Sequence, residues 1–355
     1  MDHLSGIVLV IGGTGFLGSH IADMFAAQDR FRVVAISRTP TKNENPSVEC
    51  IIGDVTKHRD MATIVQRIKP TIIVHAITPG PFAPAHMHYQ DFDALRNLVL
   101  VSCKTNEVKA FIYSGSVEAI ASASGARKTP LLESEALLHT PKTASSPYAL
   151  CKSISEDFVL KANGPSLATL VLRLPGIYGP RDRGISPGLL KMADSGISRI
   201  QFGNNEIVHD WVYVESAAHA DVLAAAALLD ASRTSQRRVD GETFFITDGA
   251  PMKFWDFARS FWALAGRKDK TIIVVPWWVV LALALASEVL CRIFTLGRKA
   301  PTFSRSHVHY MKEGGYFDIQ KARERLGYSP LVHTNEGIQK TVTWFQAAGA
   351  LRKNA

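Results

Sequence analysis

Through the first half of the chain, short runs of apolar, often β-branched residues alternate with longer stretches whose apolar positions recur at helical spacing. Residues 7–11, 31–37, 71–76 and 109–114 are apolar runs too short for helices, which predicts strands buried on both faces of a parallel sheet. The intervening stretches 16–27, 59–68 and 87–105 predict amphipathic helices, and the apolar run 50–52 predicts another strand. Pro147 suits the first turn of a helix reaching about residue 162, after which 167–173 returns as a strand. Such β-α-β alternation predicts an α/β chain with a doubly wound parallel sheet and right-handed crossovers.

Beyond Pro175 the texture changes. Gly176, Gly179, Pro180, Gly184, Pro187 and Gly188 punctuate a loop-rich region, and helices follow near 215–229, 253–265 and 336–345. The division expected is a dinucleotide-binding core over 1–174, with segments returning near 205–247. A smaller substrate lobe then occupies most of 175–355, closing over the carboxyl ends of the strands. The stretch 271–287 carries no charge and runs on, almost wholly apolar, to residue 294. Pro276 starts its helix, and Trp277-Trp278 suits a membrane-interface belt. At this length the helix 276–294 reads either as membrane-associated or as a buried helix of the lobe.

The candidate chemistry begins where the first strand meets the first helix, at Gly12-Gly-Thr-Gly-Phe-Leu-Gly18. Glycines there allow a tight turn and bring backbone amides to a pyrophosphate at a helix N-terminus. Gly12, Thr14, Gly15, Phe16, Leu17 and Gly18 are therefore expected to hold a dinucleotide in a Rossmann fold. The second strand ends in Ser37-Arg38, without the acid that would bind a ribose 2′-hydroxyl. A guanidinium can pair bidentately with a 2′-phosphate, so NADP is expected over NAD, unless Arg38 only stacks on adenine. Asp54, with Val55, suits the adenine amino group, although Asp54 is nearly as good a helix cap. His75 and Ala76 end the 71–76 strand beside the expected cofactor, and His75 also reads as a core histidine.

Tyr148 and Lys152 lie four residues apart and so share one helix face. An ammonium near a phenol favours phenolate, which predicts a tyrosine acid/base tuned by Lys152. The strand before this helix ends in Tyr113-Ser-Gly-Ser116, and Ser116, with Ser114 as alternate, is the hydroxyl expected to hold the reacting oxygen. The net charge of +8 is spread over short clusters, which argues for solvated surface and against nucleic acid. Four cysteines without paired spacing argue against metal or disulfide sites and for a reducing compartment. No targeting leader is evident at the N-terminus, where the apolar run behaves as a strand.

The glycine loop, the Tyr-Ser-Gly-Ser strand end, the Tyr148/Lys152 pair and the segment Arg173-Leu-Pro-Gly-Ile-Tyr-Gly-Pro-Arg181 together resemble the extended short-chain dehydrogenase/reductases. Within them the chain resembles the 3β-hydroxysteroid dehydrogenase branch, including the decarboxylating sterol-4α-carboxylate 3-dehydrogenases. Asp210-Trp-Val-Tyr-Val-Glu-Ser-Ala-Ala-His-Ala220 and the Lys321–Trp344 segment carry the likeness nearly to the end. The resemblance implies an oxidoreductase acting on a secondary alcohol or ketone of a sterol, triterpenoid or other terpenoid, with loss of a neighbouring carboxylate where one is present. It implies Tyr148 as acid/base, Lys152 on the nicotinamide ribose, Ser116 on the substrate oxygen, and Pro175 with Ile177 against the nicotinamide. The partner expected is a lipophilic small molecule, with membrane contact through 272–294 and a homodimer allowed. The place expected is the cytoplasmic face of an internal membrane, such as the endoplasmic reticulum, or the cytoplasm. Two rivals share the fold: a nucleotide-sugar epimerase or dehydratase, kept alive by Arg181 and Arg183, and a cofactor-sensing scaffold with dead chemistry.

Overall fold

A computed structural model describes residues 5–39, 44–230, 232, 237–267, 271–295 and 303–349. The first half alternates as its periodicity requires: β1 Gly6–Ile11, α1 Phe16–Ala26, β2 Phe31–Ser37, β3 Val48–Ile52, α2 His58–Ile68, β4 Ile72–His75, α3 Ala85–Ser102 and β5 Ala110–Ser116. Then come α4 Pro147–Lys161, β6 Ala168–Leu174, β7 Gly176–Tyr178, α5 Ile185–Asp194, β8 Ile200–Phe202, β9 Val208–His209 and β10 Trp211–Tyr213. The remainder is α6 Val214–Leu229, β11 Glu242–Phe245, β12 Met252–Lys253, α7 Phe254–Leu264, β13 Ile273–Val275, α8 Trp277–Thr295, α9 Arg305–Glu313, α10 Gln320–Leu326 and α11 Thr334–Ala347.

Seven strands form one sheet in the order β11-β6-β5-β4-β1-β2-β3, with every pairing parallel. The reversal between β1 and β4 is the switch point of a Rossmann sheet, where a crevice opens at the carboxyl ends of the strands. One face is sealed by α1, α6 and α10 through residues such as Ile21, Ala217, Ala224 and Leu326. The other is sealed by α2, α3 and α4 through Met61, Ile64, Leu95, Leu98 and Val159. Both faces being dry explains why the strands carry no polar alternation.

A third core belongs to the later segments. Tyr178, Trp211, Trp255, Phe257, Phe261 and Trp262 pack there, with the rings of Trp211 and Phe257 stacked 3.8 Å apart. Three two-stranded pairings, β7 with β10, β9 with β12 and β8 with β13, frame this core. Their strands of two or three residues are too short for any period, so the sequence does not announce them. The segment 317–328 packs on the main sheet through Phe317, Ile319, Leu326 and Tyr328, although it lies far along the stretch assigned to the lobe.

The apolar segment is not a buried helix of the lobe. Along α8 only Val280 and Ala284 are buried, against Val308 of α9. Trp278 is 73% exposed and Phe294 82% exposed, with Leu283, Leu290 and Ile293 open between them. The four cysteines Cys50, Cys103, Cys151 and Cys291 are free thiols.

Candidate active site

Because β1, β2, β4 and β5 run parallel, their carboxyl ends bring Ile11, Ser37, His75 and Ser116 to one edge of the sheet. The chain leaves β1 through Gly12, whose φ of +85° is a left-handed conformation in which a side chain is strained. The Gly15 amide donates to the Gly12 carbonyl at 2.8 Å, closing the turn. No side chain caps α1 at Gly15, so its first amides face the crevice, as an anion at a helix N-terminus requires. A Cβ on Gly18 would stand 2.0 Å from the Gly12 carbonyl oxygen, so α1 can approach the loop only as glycine. Gly18→Ala is therefore expected to lose dinucleotide binding at least tenfold and to lower thermal stability. A variant that melts and titrates like the parent would refute this close packing.

The other expected cofactor residues sit around this turn in unequal ways. Thr14 and Phe16 are half-buried at the crevice, whereas the Leu17 side chain is spent in the core beneath α1 and leaves only its backbone for a ligand. Val55 is likewise packed in the opposite core. Ser37 accepts the Gly53 amide through its carbonyl at 2.9 Å. Arg38 is exposed and lies close enough to Asp54 to help lower its carboxyl, after the Thr56 hydroxyl and amide. Asp54 Oδ1 takes that hydroxyl at 2.7 Å and that amide at 3.0 Å, so it closes a local turn and does not cap α2, which begins four residues later.

His75 is wholly buried between β1 and β5, edge-on to Tyr113 at 5.8 Å. Burial first, and the Lys152 charge second, hold it down to about 3, so the ring is neutral. The Ala76 amide donates to Ile11 at 2.9 Å. Pro175 and Ile177 are half-buried where β6 passes into β7.

The reacting end is built by α4. The Ser146 hydroxyl accepts the Ala149 amide at 3.1 Å and Pro147 fills the first turn, so cap and proline together fix how Tyr148 enters the site. Lys152 Nζ lies 5.8 Å from the centre of the Tyr148 ring and 5.0 Å from that of Tyr113. The Ser116 hydroxyl lies near enough to the Tyr148 phenol to lower it, and it accepts the Glu118 amide at 3.1 Å. Ser114, the alternate, instead donates to Asp221 of α6 at 3.4 Å, and so belongs to the packing of that face.

One electrostatic expectation is corrected. Burial pushes the Tyr148 phenol up, and the group drawing it back down is Ser116, while Glu118 and Asp91 push it further up. The Lys152 ammonium lies over the face of the ring and is itself lowered by burial, with Asp91 as the first group restoring it.

Four neighbours of the pair went unremarked in the sequence. His88, edge-on to Tyr148 at 5.4 Å, and Asp91, one turn on, approach from α3. Burial raises Asp91 to about 6 against the pull of Lys152. Their three-residue spacing, which puts both on one face of α3, is a readable signal. Glu118 could have been noticed two residues past Ser116. Tyr310 of α9 carries no sequence signal at all. Burial raises it, and Glu118 and Tyr148 raise it further, because all three gather at one end of the cleft.

Arg181, a candidate anchor for a sugar diphosphate, is already held by Asp23 at 2.7 Å. Solved structures with this architecture include UDP-glucose 4-epimerase from Thermotoga maritima with UDP-glucose, at 23% identity and a TM-score of 0.71 over 96% of this chain and 99% of that one. Another is WbmH of Bordetella bronchiseptica in complex with NAD+, at 17% identity and a TM-score of 0.69 over 97% and 99%. At such identities these likenesses speak for the fold alone.

The nearer relatives are of one kind. The chain is 33% identical over 344 residues to the decarboxylating sterol-4-alpha-carboxylate 3-dehydrogenase of Schizosaccharomyces pombe, covering 95% of this chain and 96% of the relative. It is 28% identical over 341 residues to the enzyme of that name from Mus musculus, covering 95% and 90%. With the family's sequence pattern matched across residues 9–277, and the tyrosine, lysine and serine assembled at the sheet edge, the chain belongs to the 3-beta hydroxysteroid dehydrogenase/isomerase family.

Proposed function

We propose that this chain oxidises the 3-hydroxyl of a sterol or related terpenoid bearing a neighbouring carboxylate, which then leaves as carbon dioxide. The observation that carries the reading is the buried Tyr148 with Lys152 Nζ 5.8 Å from its ring centre, near Ser116 at the end of β5, on the sheet edge that also carries the glycine turn after β1. NAD(P)+, held by the glycine turn with Arg38 and Asp54 at its adenosine end, supplies the acceptor for the carbinol hydrogen. Ser116 orients the substrate oxygen and eases loss of the phenol proton, Tyr148 receives the hydroxyl proton, and Lys152 binds the nicotinamide ribose. Pro175 and Ile177 close the nicotinamide side. A β-keto acid loses carbon dioxide readily once the ketone exists, so the carboxylate needs no separate metal site. The names of the relatives support this substrate class. Purified protein given 4-carboxylated sterols with NAD+ or NADP+ should form reduced nicotinamide and carbon dioxide; no reduction with either cofactor would sink the reading.

For cofactor choice the reading is NADP(H), because the exposed Arg38 guanidinium stands where an acid would select NAD(H). Arg38→Leu should raise the KM for NADP+ tenfold or more and alter that for NAD+ little. An unchanged ratio of the two would refute the preference.

The lobe over most of 175–355, apart from the segments that return to the main sheet, is read as the substrate's container, and α8 as its anchor in a membrane. The helix has 19 residues with a mean hydropathy of 1.8, and its exposed apolar face lies beside an open cleft lined by Ser145, Leu281, Glu288, Arg305 and Lys312. At about 1.5 Å per residue such a helix is long enough to sink deep into a hydrocarbon core of about 30 Å. A lipophilic substrate would then enter from the bilayer. An aspartate costs about 3 kcal/mol in that environment. Leu283→Asp with Leu290→Asp should move the protein from sedimenting vesicles into the supernatant, and unchanged sedimentation would refute the anchor.

A further inference from the structure

Resting on the decarboxylating reading above, we infer that Tyr310 of α9 determines specificity, its phenol hydroxyl donating a hydrogen bond to the carboxylate beside the substrate's reacting carbon. The place of that hydroxyl is shown by Gly176. A Cβ there would stand 2.8 Å from the Trp211 ring and 3.1 Å from the Tyr310 hydroxyl oxygen, so the bare glycine is what admits the phenol. In the register of β5 and β6, Ser116 stands opposite Leu174, and Gly176 follows two residues later, a rise of about 7 Å. The sheet order places β1, β4, β5 and β6 side by side, so the glycine turn, His75, Ser116 and Gly176 follow one another along its edge. A dinucleotide laid from the glycine turn comes to Ser116 first. The ground beyond Ser116, where Tyr310 stands, is left to the substrate.

Helix α9 holds the phenol there from two sides. Arg305, Val308 and Lys312 lie on one face and meet α8. Arg305 Nε donates to Glu288 at 2.9 Å, Val308 packs on Val280 and Ala284, and Lys312 Nζ lies 5.9 Å from the centre of the Trp277 ring. His307 and Tyr310 share another face. The His307 ring stacks on Phe82, in the loop after β4, with centres 3.5 Å apart, and the Tyr310 ring lies 5.4 Å from that of His209. A side chain already clamped in this way loses little freedom when a ligand meets it. Among the described residues the Tyr310 hydroxyl makes no hydrogen bond, and the residue is only half-buried, with its oxygen unsealed.

An open donor at the reacting end needs an acceptor. The carbinol oxygen already has Ser116 and Tyr148. The next polar group of the proposed substrate is the carboxylate, on the carbon bonded to the carbinol carbon, and a carboxylate only accepts. Burial raises the Tyr310 phenol, with Glu118 and Tyr148 adding to it, so the hydroxyl keeps its proton. The cations of α9 are engaged elsewhere, Arg305 and Lys312 on α8 and His309 on Glu313 at 3.0 Å. A neutral donor also suits a group that must leave as carbon dioxide. It orients the carboxylate without the strong ground-state stabilisation an ammonium would give, which would be lost along with the charge.

The test gives the full chain, with NAD+ or NADP+, a 4-carboxylated sterol and the same sterol bearing a methyl group in place of the carboxylate. Formation of reduced nicotinamide is followed for both. Tyr310→Phe is expected to raise the KM for the carboxylated sterol about tenfold or more, the worth of one hydrogen bond to a charged group, with a smaller effect on kcat. The KM for the methyl sterol should shift threefold at most. If the parent does not turn over the methyl sterol, its inhibition constant against the carboxylated one is compared in place of KM. A Phe variant that keeps the parent's KM for the carboxylated sterol overturns the inference, and so does an equal loss on both sterols, which would mean that the hydroxyl only shapes the site. Should the Phe variant fail to fold, Tyr310→Met is read by the same two sterols and the same criteria. Absence of any reduced nicotinamide with the parent would instead overturn the function on which the inference rests.

Discussion

Tyr148→Phe is expected to lower turnover between a hundredfold and ten-thousandfold, the usual worth of a positioned acid/base. Cofactor affinity should change little, because in the proposed mechanism the phenol meets the reacting oxygen and Lys152 the nicotinamide ribose. The phenol stands at the end of α4 fixed by the Ser146 cap, so removing one oxygen leaves the ring seated between His88 and Lys152. A companion variant reads the electrostatics. Ser116 draws the raised Tyr148 phenol back down, so Ser116→Ala leaves the phenol higher still. For oxidation the phenolate is the active form, and the rise of kcat with pH should therefore move to higher pH in Ser116→Ala. Turnover of Tyr148→Phe within threefold of the parent would sink the mechanism. A pH profile shifted downward in Ser116→Ala would sink the assigned direction.

The second large effect is expected behind the site, in the packing of β6 against α4. Arg173 of β6 and Glu156 of α4 form a fully buried ion pair, with Nε 3.1 Å from both carboxylate oxygens and Nη2 2.5 Å from one. Arg173 also lies over the Phe245 ring at 5.3 Å. Removing one partner strands a charge in the core, which typically costs about 3–5 kcal/mol. Glu156→Ala should show that loss in urea unfolding, with turnover falling too because α4 carries Tyr148 and Lys152. Replacing both partners, as Glu156→Leu with Arg173→Met, should restore most of the stability, since an apolar pair avoids the desolvation cost. A loss below about 1 kcal/mol in Glu156→Ala would mean that Arg173 finds another partner or water.

The sheet and its helices were legible because their signals are local. Continuous apolar runs mark strands buried on both faces, and glycines at 12, 15 and 18 mark a turn no other residue could make so tightly. Tyr148 and Lys152 were legible for the same reason, since four residues on a helix define one face. The lobe was less legible. Its strands are two or three residues long, and its aromatic core gathers Tyr178, Trp211, Trp255 and Phe257 from three separate elements.

What the sequence by itself determined, then, is whatever depends on residues near one another in the chain: the glycine turn, the strand ends, the capped helix and its tyrosine–lysine face. What only the tertiary structure decided depends on distant partners. It set Ser116 against Tyr148 and sent Ser114 to Asp221. It spent Arg181 on Asp23, and it brought Tyr310 of α9 to the end of the cleft occupied by Glu118. It also decided that α8 stands exposed and that burial, more than the neighbouring ammonium, sets the Tyr148 phenol. The physical reason is that desolvation and long-range pairing depend on the whole surrounding fold, which residue spacing along the chain does not encode.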